Sequence, residues 1–371
     1  MTTKLLRLFL VALFAITLQP ASGRAAERKP NVVFILADDL GWRDLGCYGS
    51  TFYETPNLDK LAAQGMRFTA GYAACNVCSP TRASLLIGKY PARLHLTDWL
   101  PGRADSPTQK LKRPAIIDHL PLEETTIAEA LKEGGYATAF LGKWHLGRQP
   151  FFPDKQGFEL NLGGCELGHP PSYFSPYKIP TLPDGPKGEY LTDRLTDEAM
   201  RFIAEKKDQP FLLYLSHYAV HNPQQAKPEL VAKFQAKLAG LPSSAEPELI
   251  SDHGRQVRAV QNKPIYAAMI ASLDESVGRI LTELAELGLE KDTVVVFFSY
   301  NGGLATAEGT PTSNLPLRMG KGWNYEGGIR EPLLVKWPGV TKPGSVSAAP
   351  VISTDLYPTF LEMAALPARP Q

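Results

Sequence analysis

The chain has 371 residues, 44% of them hydrophobic and 21% charged, which is enough apolar material for a substantial core and excludes a disordered chain. Lys and Arg total 39 against 38 Asp and Glu, so no global field draws nucleic acid or an acidic membrane surface. Any bound anion must be held locally. Four cysteines, Cys47, Cys75, Cys78 and Cys165, are too few for a disulfide-built scaffold, sufficient for one bridge, and wrongly spaced for zinc.

In chain order, Lys4 and Arg7 precede an apolar run over 8–18 and then small residues at Gly23 and Ala25, the pattern of a signal peptide over 1–25. The run is about half of the roughly 20 residues that span a bilayer, so no stable membrane anchor is expected and the product is periplasmic or extracellular. The remainder, 26–371, reads as one α/β catalytic domain. NVVFILADDLG from Asn31 is a buried strand that stops abruptly at Asp38 and Asp39. Further strands are expected over 136–142, 210–216, 293–299 and 332–338, with helices near 55–65, 125–135, 193–206 and 264–288. Thr125 and Gly134 mark the start and stop of the second helix. This alternation predicts an α/β fold with a mostly parallel central sheet and helices on both faces. Ligands of such folds bind beyond the carboxyl ends of the strands, where Asp38, Asp39 and the segment after Ser299 fall. The stretch 147–190, rich in Gly and Pro, reads as an excursion over that face, and 222–262 as an irregular loop or lid.

The segment CNVCSPTRASLLIGKYPARL places Pro80 and Arg82 after Cys78 and before a helix-forming run. Pro80 suits a first helical turn, so Cys78 is expected at a helix N-terminus, where backbone amides favour negative charge. Cys75 and Cys78 also form a C-x-x-C, but the C-x-P-x-R spacing resembles the signature of the sulfatase family. GYATAFLGKWHL, over 135–146, resembles the family's second signature. ILADDLGW, HYAVHNP and GKGWNYEGGIREP extend the resemblance in the family's order along nearly the whole chain.

The resemblance implies the sulfatase or alkaline-phosphatase-like fold and hydrolysis of a sulfate ester. It implies that a formylglycine-generating or sulfatase-maturing enzyme oxidises Cys78 to formylglycine, whose hydrated aldehyde attacks sulfur. By the same likeness Arg82 supplies a nearby fixed cation. Lys143 contacts sulfate and formylglycine, His145 hydrogen-bonds the formylglycine and helps release sulfate, His221 protonates the leaving alcohol, and Lys321 contacts sulfate. Asp38, Asp39 and Asn301 are implied metal ligands, and hard oxygen donors suit Ca2+, or Mg2+, better than zinc. Both lysines are expected in a solvated anion pocket, so that their removal costs little stability.

Three departures stand out. Tyr300, in VVVFFSYNGG, stands where the family places a fourth, anionic metal ligand, and a phenol is neutral near pH 7. Thr81 stands where serine is frequent, at a tolerant position. The sequence stops shortly after STDLYPTFLEMAALPARPQ, so the family's smaller C-terminal domain is expected to be absent, and the loop GGCELGHPPSYF offers His169 but no clear counterpart of a family serine. The expected substrate is a sulfated small molecule or glycan. The alternatives are a phosphomonoester or phosphonate hydrolase on the same scaffold, or a non-catalytic relative that binds sulfated glycans.

Overall fold

The computed structural model describes residues 29–242 and 247–369, so the expected signal segment over 1–25 lies outside the described residues. Strand β1 (Asn31–Ala37) is buried along its whole length because NVVFILA offers mainly apolar side chains to both faces. It pairs in parallel with β8 (Thr293–Ser299) on one side and with β5 (Phe211–Ser216) on the other. Beyond β5 lie β3 (Ala137–Gly142) and β4 (Leu160–Leu162), both parallel. Beyond β8 comes β9 (Arg330–Lys336), antiparallel to β8 and to β2 (Met66–Tyr72), and β10 (Ser345–Ser347) and β11 (Val351–Ile352) add in parallel to β2. The nine-stranded sheet is therefore mostly parallel, as expected, with β9 running against its neighbours.

Helices α1 (Pro56–Gln64), α4 (Leu191–Lys206) and α5 (Pro228–Ala239) pack against the long α6 (Pro264–Glu286) on one side of the sheet. A second group comprises α2 (Cys78–Ile87), α3 (Ile127–Glu133) and α8 (Leu356–Met363), with Phe360 of α8 edge-on to Phe34 of β1 at 5.2 Å. The single turn α7 (Glu326–Ile329) leads into β9. No helix among the described residues is long and apolar enough to cross a membrane.

Two expectations are corrected, and one strand carried no signal in the sequence. The α3 cap is Thr126, one residue later than expected, because only from there does Glu129 fall at the third helical position and close a reciprocal capping box. Strand β2 lacked a continuous apolar run, since MRFTAGY is only half-buried and a register shift between Phe68 and Gly71 interrupts its pairing. The segment 222–262 is not a structureless lid: it holds α5 and the hairpin of β6 (Leu249–Asp252) and β7 (Arg255–Arg258). Only Phe234 of α5 is buried, which left its sequence with a weak apolar stripe.

Candidate active site

Four adjacent parallel strands in the order β8, β1, β5 and β3 point their carboxyl ends at one edge of the sheet. Asn301, Asp38 and Asp39, His221, and Lys143 and His145 each follow one of these strands, so the shared direction brings distant motifs together. The ladder continues past the strand ends: Asp38 N–H donates to Ala219 at 2.9 Å and Lys143 N–H to Ser216 at 2.8 Å. Gly142 makes the second contact possible, because at φ 98° a Cβ there would sit 2.0 Å from the Ser216 carbonyl oxygen. Asp39 and His145 themselves hold left-handed φ values of 62° and 55°, a strained conformation that aims their side chains inward.

Cys78 is the first residue of α2 and is buried. One ligating atom each from Cys78, Asp38, Asp39 and His221 fits within 4.8 Å of the others. All four cysteines are free thiols, so Cys75 and Cys78 form no bridge. The Thr81 hydroxyl accepts from Cys75 N–H at 3.0 Å and donates to its carbonyl at 2.9 Å, contacts that a serine hydroxyl could also make. Ser79, unremarked in the sequence, donates to the His145 carbonyl and accepts from Leu100 N–H, tying α2 to both loops.

Arg82 does not face the cavity. Its guanidinium donates to the carbonyls of Trp144 at 2.6 Å and Lys143, and to the Ser216 hydroxyl at 3.0 Å. It braces the helix against the ends of β3 and β5, and Arg82→Ala is expected to cost about 3 kcal/mol by orphaning buried carbonyls, read as a fall in Tm.

Lys143 Nζ lies 2.6 Å from Asp38 Oδ2, and both side chains are fully buried. Lys321 Nζ bridges Asp39 Oδ2 and His221 Nε2, each at 2.9 Å. The expected solvated setting for these lysines is therefore corrected: the sheet edge encloses Lys143 completely, and Lys321 is nearly enclosed. Burial works to raise the Asp39 carboxyl, yet Lys321, His221 and Lys143 outweigh it and hold it below its ordinary value. Burial opposes the Lys321 ammonium, but Asp39 outweighs it and pushes the ammonium up. Burial lowers His221 despite Asp39, and lowers His145 strongly, with Lys143 adding to the effect. It also raises the Cys78 thiol against Lys143 and Lys321, so the unmodified sulfur is a poor nucleophile here.

The imidazole protons follow from their partners. The Leu100 carbonyl 2.7 Å from His145 Nε2 can only accept, which leaves His145 Nδ1 a bare acceptor. The Asn222 carbonyl 3.0 Å from His221 Nδ1 likewise takes that proton, so His221 Nε2 accepts from Lys321. His169 lies 6.1 Å from His221, ring to ring and nearly parallel, a contact with no signal in the sequence.

For a divalent cation the donor set is two carboxylates and one amide oxygen. Asp38 Oδ1 and Asn301 Oδ1 are buried without a hydrogen-bond partner among the described residues, acceptor atoms that a hard cation would satisfy; the Tyr300 hydroxyl is likewise buried without a partner. Asn301 donates its amide to Asp39 Oδ1 at 2.7 Å, leaving the carbonyl oxygen free. The residues Asp38, Asp39 and Asn301 fit calcium or magnesium, and Tyr300, a neutral phenol, adds no charge to the set. Its ring instead faces the Arg82 and Lys143 cations at 4.9 and 5.6 Å.

Above this floor opens a cavity of about 1250 Å³, lined by Cys78, His145, His221 and Lys321 below and by Trp99 and Trp323 nearer its mouth. Fold and site together set the buried N-terminus of α2 beside paired carboxylates and ammonium groups, beyond the strand ends of a mostly parallel α/β sheet. Residues 30–366 match the Sulfatase family model, and the chain belongs to the sulfatase family of the alkaline phosphatase superfamily. It is 34% identical to arylsulfatase A of Homo sapiens over 94% of this chain and 66% of that protein. It is 34% identical to N-acetylgalactosamine-6-sulfatase of Mus musculus over 92% of this chain and 64% of that protein. The chain thus spans slightly less than two thirds of the length of these relatives. Among solved structures, Ps i-CgsB in complex with k-i-k-neocarrahexaose aligns with a TM-score of 0.74 at 32% identity, covering 92% of this chain and 73% of that one.

Proposed function

We propose that the protein hydrolyses a sulfate ester of a sulfated small molecule or glycan, after a maturing enzyme has converted Cys78 to formylglycine. The observation that carries this reading is Cys78 at the N-terminus of α2, clustered with Asp38, Asp39 and His221 and acted on by the charges of Lys143 and Lys321. Hydrated formylglycine would supply a strong oxygen nucleophile, and Asp38, Asp39 and Asn301 would hold calcium, which would supply charge for the sulfate oxygens. The chain's own groups do the rest. Lys321 presents an ammonium donor to the anion, and Lys143, enclosed beneath the floor, acts on it through its charge and its hold on Asp38. The bare Nδ1 of His145 can take the proton of a hydroxyl at position 78, and Lys321 with His221 Nε2 holds a proton for the leaving oxygen. Family membership and the N-terminal apolar run support export before maturation.

The deciding assay uses protein expressed with a formylglycine-generating enzyme and matched aryl sulfate and aryl phosphate esters. Turnover of the sulfate with little of the phosphate is expected, and the reverse ranking would move the protein to the phosphoester alternative. Lys143→Ala and Lys321→Ala should each lower kcat/KM by about a hundredfold, as loss of one charge-stabilising group does. Lys143→Ala should also cost about 3–5 kcal/mol, because it leaves the buried Asp38 carboxylate uncompensated. A modest kinetic effect accompanied by a large fall in Tm for both variants would make them structural residues only.

A further inference from the structure

The cavity carries more positive charge than one ester needs. Four cationic side chains line it, Arg103, Arg148, Arg255 and Lys321, against the carboxylates Glu166 and Glu308. Lys321 is committed to Asp39 at 2.9 Å and Arg103 to Asp98 at 3.3 Å, while the Glu308 carboxylate accepts from Asn222 at 3.3 Å. Arg148 and Arg255 are exposed, and among the described residues neither makes a close side-chain hydrogen bond or ion pair, although the Arg148 charge helps hold the nearby Asp118 carboxyl down. An unpaired guanidinium facing a concave surface is a ready fork for the oxygens of a sulfate or carboxylate.

Arg255 is mounted firmly. It begins β7, and Val257, two residues on and therefore on the same strand face, is buried with Ala305 and Met319 beneath Trp323 and Tyr325. His253 at the hairpin tip meets the Trp323 ring edge-on at 5.9 Å, and Arg318 grips Asp252 through two contacts of 2.7 Å. The hairpin is thus joined to the loop that carries Lys321. Arg148 stands on a different wall, five residues after Lys143, in the segment that leaves β3. Trp99 and Trp323 add aromatic surface, and the Trp323 indole is held by a 3.1 Å bond to Thr306. At about 1250 Å³ the cavity exceeds the roughly 300–1,000 Å³ of a drug-sized pocket, and flat apolar rings between polar groups suit the C–H faces of sugars.

We infer that Arg148 and Arg255 are flanking anion subsites, and that the ester is part of an oligosaccharide carrying at least one further sulfate or carboxylate beside the scissile sulfate. This rests on the sulfate-ester reading above. Each guanidinium takes one flanking anionic group, and the tryptophans hold the sugar rings between them.

The test separates binding from turnover. Calorimetry on the full chain carrying Cys78→Ala, which binds without reacting, would compare tetrasaccharides of equal length with one sulfate, with an added flanking sulfate, and with a flanking uronate. Each ligand with one flanking anion is expected to bind about tenfold more tightly than the monosulfated one, an advantage lost on substitution of the arginine that takes that anion, Arg148→Gln or Arg255→Gln, and, for Arg255, partly restored by Arg255→Lys. The advantage should also shrink steeply with added salt. Response to the flanking sulfate alone, or the uronate alone, identifies which anion the subsites take. A ratio near one in the parent, or a ratio that neither substitution changes, overturns the inference. Failure of matured wild-type protein to hydrolyse any sulfate ester overturns the function instead, and the binding ratios are read independently of it.

Discussion

Replacing Cys78 with alanine is expected to lower kcat by at least about ten-thousandfold, the scale of losing a covalent nucleophile. Nothing else at the floor can take its place, because Asp38 and Asp39 are committed to ammonium partners and the imidazoles of His145 and His221 hold proton-transfer positions. The fold should survive: the change removes one buried sulfur and leaves the α2 backbone and the Ser79, Thr81 and Arg82 contacts in place, at about 1 kcal/mol. Kinetics with an aryl sulfate, the melting temperature and the mass of the Cys78 peptide decide the matter together. Wild-type protein from a maturing host should carry the aldehyde at residue 78, and Cys75→Ala should remain active. Full activity in Cys78→Ala, or active protein with residue 78 wholly thiol or disulfide-bonded, would remove the formylglycine mechanism. Equal losses from Cys75→Ala and Cys78→Ala would point to C-x-x-C thiol chemistry.

The second large effect concerns the metal. Tyr300→Asp is expected to raise calcium affinity by about a hundredfold or more, equivalent to roughly 2.7 kcal/mol, since affinity in oxygen-donor sites rises with the number of charged ligands. The wild-type set of Asp38, Asp39 and Asn301 holds two negative charges, and Tyr300 cannot add a third: burial, with Asp38 adding to it, drives its phenol well above its ordinary value. Calorimetric titration with calcium reads this without any turnover. Melting temperature gives a second reading, because a new buried carboxylate without metal destabilises, so Tyr300→Asp should melt lower in chelator and recover with calcium. Tyr300→Phe serves as the control: its hydroxyl has no partner among the described residues, and its loss should change affinity little. Tight calcium binding by the wild type with no gain from Tyr300→Asp would show that another residue completes the coordination.

Much of the site was legible as separate pieces. Asp38 and Asp39 end a fully buried apolar strand, Pro80 and the apolar run after it announce a helix that starts near Cys78, and Lys143 with His145 closes another strand. These are local features, set by apolar periodicity and turn chemistry over a few residues, so the chain order of strands and helices and the α/β class followed from the sequence by itself. The same locality explains the errors. Half-buried β2 and the surface helix α5 owe their form to neighbours, and the α3 cap depended on a side-chain bond three residues away.

Tertiary structure decided what those residues do to one another. The parallel ladder sets four strand ends side by side, bringing Lys143 to Asp38 across 105 residues and Lys321 to Asp39 across 282. It turned two lysines expected in solvent into buried ion pairs, and Arg82 into a brace on backbone carbonyls. It also set the Arg255 hairpin beside the Lys321 loop and His169 against His221, pairings that no local pattern encodes. The physical reason is that hydrophobic periodicity specifies which face of an element is buried, whereas the distance between two charges depends on strand order, register and packing between elements far apart in the chain.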